Sequence, residues 1–284
     1  MPNIILLAET GSDISPALAA KYNIELVPMH VSFGTDTRDD GTFPPEELYA
    51  YYKNTGTLPK TSAAMPDDFT KAFDDIHRRH PGAHILHLAY SAATTGSYSN
   101  ALLAAQDRDY VTSLDTRQVT IGQAAVVVQV ARLLAAHPEA GIAEATAWAK
   151  EVIDRASMCF LPDDLDYLRA GGRVSNVAYL GARILSLHPV IELLDGKLVA
   201  TKKYRGKMEK LVPQLITDYA DHYDLDRADL WLVYTAGLGR PIRLAAELAA
   251  KKCGFKNVHW ILANGVITTH GGPGAFGLAG LRKV

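Results

Sequence analysis

The chain has 284 residues with 29 basic and 31 acidic side chains, giving a formal net charge of −2. This length allows one large or two medium α/β domains, and the balanced charge argues against a nucleic-acid surface. Two cysteines, Cys159 and Cys253, are too few for a disulfide framework. The first apolar run stops at Glu9, too early for a secretory signal, and the most apolar later window contains Gln129 and Arg132. We therefore expect a cytoplasmic protein that does not span a membrane.

The first half of the chain alternates apolar strands with helices. Strands are predicted at 4–8, 24–33 with a break at Pro28, 85–89 and 110–114, and helices at 16–22, 45–54, 67–80, 97–106, 122–136 and 142–155. The segment 58–66 is predicted to be a polar loop. Alternation of this kind predicts a parallel sheet covered by helices, with any site at the carboxyl ends of its strands.

The pattern changes near residue 160. Asp195-Gly196 lies between two strand-like runs and predicts a β-hairpin over 190–204. Further strands are predicted at 157–161, 230–236 and 258–262, and helices at 177–187, 206–219 and 240–253, before a closing Gly-rich stretch. We therefore predict a two-domain α/β protein, with a parallel α/β/α sheet in 1–160 and a mixed sheet in 161–284.

A hydroxyl-rich segment separates the strand at 85–89 from the helix that follows it. Ser91, Thr94, Thr95 and Ser97 lie there without a charged neighbour. A helix N-terminus offers unpaired N–H groups and the positive end of the helix dipole, so this segment suits an anion. In the alternative interpretation, Thr95 or Ser97 simply caps the helix.

Several common catalytic sites are absent from the sequence. No HExxH pair, Cys/His cluster or GxxxxGK[ST] loop occurs, so neither a catalytic metal nor a phosphate loop is predicted. The segment His270-Gly271-Gly272-Pro273-Gly274 is similar to the oxyanion-hole segment of some α/β-hydrolases, but the GxSxG nucleophile motif is missing. A stand-alone hydrolase or transferase that uses His270 and a nearby hydroxyl stays open as an alternative.

The remaining motifs are spread along nearly the whole chain, and their order is informative. They are Val27-Pro28, Val31-Ser32-Phe33-Gly34, Asp40-Gly41, Lys60-Thr61-Ser62, Ser91, Thr95-Gly96-Ser97-Tyr98, Asp115-Thr116, Tyr167-Leu168, Gly171-Gly172-Arg173-Val174-Ser175, Gly181, Pro189-Val190, Asp195-Gly196-Lys197, Lys203-Tyr204-Arg205-Gly206, His270 and Gly272-Pro273-Gly274-Ala275. In this order they resemble the motifs of the DegV family, the bacterial fatty-acid-binding proteins also called FakB.

The resemblance implies a lipid carrier rather than an enzyme. Its ligand would be one long-chain fatty acid such as palmitate, held in an internal tunnel with its carboxylate near the domain junction, and no other cofactor is implied. A separate fatty acid kinase would phosphorylate that carboxylate for lipid metabolism. The implied site residues are Thr61 and Thr95 on the carboxylate, Ser62, Ser91 and His270 in the same hydrogen-bond network, Arg173 near the head group and Arg205 at the kinase-docking surface.

Taken singly, these residues have simpler interpretations. Thr61-Ser62 can shape a turn, His270 can be a core histidine bonded to backbone, and Arg205 can be solvated. Arg173 can form a surface ion pair after Gly171-Gly172 ends a helix, and the apolar helix at 177–187 can be core rather than tunnel wall.

The sequence also departs from the usual family pattern near the head group. Glu9 replaces an aspartate, Ala92 replaces a second serine, and Ala63-Ala64 replaces Gln-Pro. Chain-length preference, saturation preference, the presence of a kinase in the organism and oligomeric state are not determined by these patterns.

Overall fold

The computed structural model describes residues 3–172 and 187–284. In chain order its strands are β1 (Ile4–Glu9), β2 (Ile24–Val27), β3 (His30–Phe33), β4 (Asp36–Asp39), β5 (Lys60–Ser62), β6 (His84–Ala89), β7 (Val111–Asp115), β8 (Ala156–Leu161), β9 (Leu187–Leu194), β10 (Lys197–Arg205), β11 (Asp229–Tyr234), β12 (Asn257–Leu262) and β13 (Phe276–Leu281). Its helices are α1 (Pro16–Tyr22), α2 (Glu46–Thr55), α3 (Pro66–Arg79), α4 (Ser97–Ala104), α5 (Thr120–Ala136), α6 (Ile142–Arg155), α7 (Leu165–Ala170), α8 (Met208–His222), α9 (Arg240–Lys252) and α10 (Gly265–Gly271).

The first sheet is parallel, with the strand order β2-β1-β6-β7. All six residues of β1 are buried, because helices cover both faces of the sheet. Leu7 belongs to a core cluster with Phe69 and Phe73 of α3, and Leu6 belongs to another with Val126 of α5. The predicted parallel α/β sheet is confirmed.

The second sheet is mixed, with the order β10-β9-β8-β13-β11-β12. Its β11–β12 pair is parallel, while the β10–β9, β9–β8, β8–β13 and β13–β11 pairs are antiparallel. The predicted hairpin is present: Asp195 and Gly196 have φ values of 48° and 76°, as a two-residue type I′ turn requires. The mixed sheet predicted for the second half is thus confirmed.

Helix α5 lies between the two sheets. It is apolar on nearly every side, and such helices are stable only when they are surrounded by protein. Its residues Val126 and Val130 share one core cluster with Leu88 of the first sheet and with Trp231 of the second. One continuous core therefore joins the sheets, and the domain boundary near residue 160 stays a prediction.

Several segments differ from the predicted elements, among them β4 and α7, which the sequence analysis did not predict. The loop predicted at 58–66 contains β5, which pairs with β3 so that Thr61 lies opposite Val31 in a small third sheet. The closing Gly-rich stretch forms α10 and then β13, a central strand of the mixed sheet. Glycine fits in β13 because a Cβ on Gly277 would lie 2.8 Å from Val233 Cγ1.

Two predictions cannot be compared with the structure. Arg173 and residues 177–186 of the predicted apolar helix lie outside the described residues. Across 3–172 and 187–284, no helix combines the length and apolar character needed to cross a bilayer.

Candidate functional site

A cavity lies between the carboxyl end of the parallel sheet and the mixed sheet, and the space inside it together with the open solvent at its mouth is about 830 Å³. Much of its lining is apolar, and includes Met158, Phe160, Leu168, Leu198, Val233 and Phe276. None of the described lining residues is an aspartate, glutamate, lysine or arginine.

Thr61 and His270 meet in the wall of this cavity. Thr61 Oγ1 and His270 Nε2 share a hydrogen bond of 2.9 Å, although 209 residues separate them in the chain. Thr61 is placed by the pairing of β5 with β3, and His270 by α10. His270 therefore bonds a side chain from the first half of the chain.

Gly171 allows the imidazole of His270 to lie close to the end of α7. A Cβ at position 171 would lie only 2.3 Å from His270 Nδ1. Gly171 also ends α7, in line with the simpler interpretation of this motif, but its backbone φ of −72° is open to any residue. The close approach of His270, rather than the helix end, explains why this position requires glycine.

We expect Gly171→Ala to displace the His270 imidazole and break its hydrogen bond with Thr61, a bond worth about 1 kcal/mol, because the added Cβ would overlap Nδ1. The NMR resonances of the His270 ring measure the displacement. Gly141→Ala is the matched control, since a Cβ at position 141 meets no atom within 4 Å. Equal His270 resonances in the two variants would contradict the role assigned to Gly171.

The hydroxyl-rich segment before α4 also lines the cavity, through Thr94 and Thr95. No side chain caps α4 among the described residues, so the interpretation of Thr95 or Ser97 as its cap is wrong. Ser97 Oγ instead accepts a hydrogen bond of 3.3 Å from the Ala64 amide. Asn100 Nδ2 donates to the Ala64 carbonyl at 2.8 Å, so two bonds hold the β5 segment against α4.

Thr95 and Ser62 have hydroxyls available to a ligand. Both line the cavity, and neither hydroxyl bonds another residue in the described part of the chain. Thr94 differs, because its hydroxyl donates to the Ser91 carbonyl at 3.0 Å.

Ser91 and Arg205 lie away from the cavity lining. The fully buried Ser91 donates its hydroxyl to the Gly196 carbonyl at 2.7 Å, which ties the β9–β10 turn to the parallel sheet. Arg205 is exposed at the end of β10 and makes no ion pair with another described residue. The structure thus brings Thr61, Ser62, Thr95 and His270 to the wall of one cavity. Ser91 is not part of this wall and bonds the β9–β10 turn instead.

The sequence analysis missed four polar residues of the cavity wall: Tyr90, Thr120, Tyr234 and Thr235. Tyr90 directly follows β6. Its position at the carboxyl end of a parallel strand could have identified it as a residue of the site. Thr235 follows β11, and its hydroxyl accepts from the Ala275 amide at 2.8 Å. No local pattern marks Thr235.

Two buried carboxylates lie at the start of α10. Asp13 Oδ1 accepts from the Asn264 amide at 2.8 Å, and Asp40 Oδ1 accepts from the Val266 amide at 2.9 Å. Burial raises the pKa of Asp40 to about 6, despite hydrogen bonds that lower it. Burial, and then the charge of Asp40, raise the pKa of Asp13 well above its usual value.

The raised pKa of Asp40 predicts a pH-dependent stability difference. An aspartate with pKa 3.8 in the unfolded chain and about 6 in the fold loses its stabilising contribution as the pH rises through that window. Between about pH 4 and pH 7, the unfolding free energy of the wild type should fall by up to about 3 kcal/mol relative to Asp40→Asn. Urea denaturation at both pH values measures this difference, and parallel pH curves would contradict it.

Within residues 3–172 and 187–284, no cluster of three or more His, Cys, Asp or Glu side chains has a geometry that could hold a metal ion. The side chains that characterise the site are hydroxyls, the His270 imidazole and the apolar groups of the wall.

Comparison with known proteins places this arrangement in a family. The DegV family model, described as an uncharacterised protein family, matches residues 3–283. A DegV domain-containing protein of Deinococcus radiodurans is 25% identical over 280 residues, which cover 98% of each chain. A protein of Thermotoga maritima described as a fatty acid-binding protein is 26% identical over 282 residues, covering 96% of this chain and 95% of that one.

Solved structures share the fold. A fatty-acid-binding DegV family protein from Thermus thermophilus has a TM-score of 0.88 at 23% identity and covers 100% of both chains. A stearic acid-binding protein from Eubacterium ventriosum has a TM-score of 0.84 at 24% identity, covering 100% of this chain and 99% of that one.

Proposed function

Since the chain belongs to the DegV family, we propose that it binds one long-chain fatty acid in this cavity. The carboxylate meets Thr61 and Thr95, while Ser62 and His270 complete the first layer of hydrogen-bonding groups. The observation that carries the proposal is a largely apolar cavity with no aspartate, glutamate, lysine or arginine in its described lining, where the hydroxyls of Ser62 and Thr95 bond no other described residue. That polarity matches a molecule with one polar end and a long hydrocarbon tail.

The energetics favour such a ligand. Each buried methylene contributes about 0.8 kcal/mol, so about ten methylenes contribute on the order of 8 kcal/mol. A buried carboxylate without partners costs several kcal/mol, so the head must be satisfied. Thr61, Thr95 and the uncapped start of α4 can supply those hydrogen bonds.

We also propose that the chain is a carrier acting with a fatty acid kinase in the cytoplasm. Neutral donors leave one carboxylate oxygen available for phosphoryl transfer, whereas a bidentate arginine would cover both oxygens. In this proposal Ser91 supports the site from behind, Arg173 lies near the head group, and Arg205 contacts the kinase. Residues 1–160 form the domain with the hydroxyl loops, and residues 161–284 form the domain with most of the tail wall and His270.

Mass spectrometry of the purified protein after denaturing extraction tests the lipid ligand. We expect a long-chain fatty acid in about equimolar amount. Delipidated protein should regain the acid on titration. A protein that binds no fatty acid and instead hydrolyses esters would overturn the proposal in favour of the stand-alone enzyme.

The partner role is tested by Arg205→Ala. Lipid retention should be unchanged, because Arg205 is exposed and outside the cavity lining. Acyl-phosphate formation with the kinase should fall about tenfold in kcat/KM, because a charged contact across the interface is lost.

Arg240→Ala is the control for this substitution, since Arg240 is also exposed but begins α9, which leads into β12 at the opposite edge of the mixed sheet. Equal turnover of the two variants would refute docking through Arg205.

A further inference from the structure

Helix α10 carries part of the site but is poorly stabilised by its own sequence. It has seven residues, Gly265–Gly271, and a glycine at each end. Its N-cap residue Asn264 makes no side-chain capping bond. The hydroxyls of Thr268 and Thr269 bond carbonyls within the same segment, at Ala263 and Gly265, so they do not attach the helix to the rest of the protein.

Residues from the first half of the chain attach α10 at both ends. At its start, Asp13 and Asp40 accept from the amides of Asn264 and Val266, across 251 and 226 residues of sequence. At its end, Thr61 bonds His270. A seven-residue helix is about 10 Å long, so its first turn and its last turn move as one unit.

The first turn of α10 has little space in which to shift. A Cβ on Gly265 would lie 2.4 Å from Phe43 Cζ and 3.2 Å from Asp40 Oδ1. Asp40 is only 3% exposed and Asp13 only 1%, so water does not replace these acceptors. The position of the helix is therefore set by the two carboxylates and the residues packed beside them.

We propose that Asp13 and Asp40 are positioning residues of the fatty-acid site, which hold α10 so that His270 reaches Thr61 and the carboxylate of the ligand. The inference rests on the proposed function. Neither residue lines the cavity, so neither touches the ligand. Both act through the helix that they cap, because carboxylates stabilise the exposed amides and the positive dipole end of a helix start.

The groups that face this pair are mostly neutral. Thr120 Oγ1 donates to Asp13 Oδ2 at 2.6 Å, and Thr10 lies close to Asp40. His259 lines the groove beside both carboxylates, but its Nε2 already bonds Asp229. Each carboxylate is therefore held chiefly by amides and hydroxyls, and the nearest charge acting on Asp13 is that of Asp40.

Asp40→Ala separates a positioning role from a purely structural one. Its affinity for a long-chain fatty acid should fall about tenfold or more, while its affinity for the primary alcohol of the same chain length changes less than about threefold. The alcohol keeps the tail and lacks the carboxylate, so only the head-group contacts distinguish the two ligands. Equal losses for acid and alcohol would overturn the proposal in favour of general destabilisation.

Asp40→Asn keeps an acceptor for the Val266 amide but removes the negative charge that favours a helix start, and it serves if the alanine variant does not fold. It should lower acid affinity several-fold and shift the NMR resonances of the His270 imidazole. Asp226→Asn is the matched control, because Asp226 also accepts a backbone amide, from Ala228 at 2.8 Å, but away from α10.

Wild-type affinity and unmoved His270 resonances in Asp40→Asn would overturn the positioning role while leaving lipid binding intact. A wild-type protein that binds neither ligand would instead overturn the proposed function itself.

Discussion

Shortening the fatty acid is expected to weaken its binding by about fourfold for every methylene removed, because each buried methylene contributes about 0.8 kcal/mol. From about 16 to about 8 carbons the loss reaches roughly 6 kcal/mol, or more than four orders of magnitude in Kd. The physical reason is the wall formed by Met158, Phe160, Leu198 and Val233, which offers the tail no polar partner. Competition titrations with a series of saturated acids, kept below their micelle concentrations, measure the slope.

The dependence of affinity on chain length also shows whether the tail lies in the cavity. If the tail is outside the cavity, affinity will depend weakly on chain length, and that result would contradict the proposed site. If the acid exceeds the length of the cavity, the slope will level off at that length. The same series repeated with Leu198→Ala should alter the longer acids more than the shorter ones, because only a long tail reaches all of the wall.

Replacing Thr61 and Thr95 together with valine should weaken acid binding by about 100-fold or more. Valine keeps the shape of threonine and removes its hydroxyl, and each hydrogen bond to a charged group contributes about 1.5–3 kcal/mol. Calorimetric titration with the acid and with the matching primary alcohol measures the change. The loss should be larger for the acid, and the dependence on chain length should stay as in the wild type, because the tail contacts are unchanged.

The control for the double variant is Thr57→Val, an exposed position four residues before Thr61 and outside the cavity lining. Wild-type affinity of the double variant would remove both threonines from the site. A change of slope, rather than of overall affinity, would show that the substitution has reshaped the cavity instead of removing head-group contacts.

The tertiary structure explains why α10 and β5 escaped sequence-based prediction. The sequence of α10, GVITTHG, combines glycine with β-branched residues of low helix propensity. It is helical because Asp13 and Asp40 satisfy its first amides from far away in the chain. Similarly, Lys60–Ser62 has no alternating apolar pattern and is a strand only because β3 pairs with it.

The Gly171-Gly172 motif shows the same limit. Helix α7 ends at Gly171, in line with the simpler interpretation of the motif, yet the requirement for glycine comes from His270, which lies 99 positions further along the chain. Family resemblance selects both residues, but only the structure shows that they are neighbours.

What the sequence determined by itself is the local order of elements. Apolar periodicity and turn residues such as Asp195-Gly196 act within a few residues, so they predict the parallel sheet, the hairpin and the mixed second half. What only the tertiary structure decided is which hydroxyls share a cavity. Thr61, Thr95 and His270 come together through strand pairing and a distantly capped helix, and Ser91 is turned toward the Gly196 carbonyl instead. Contacts between residues far apart in the chain depend on packing, which no local pattern encodes.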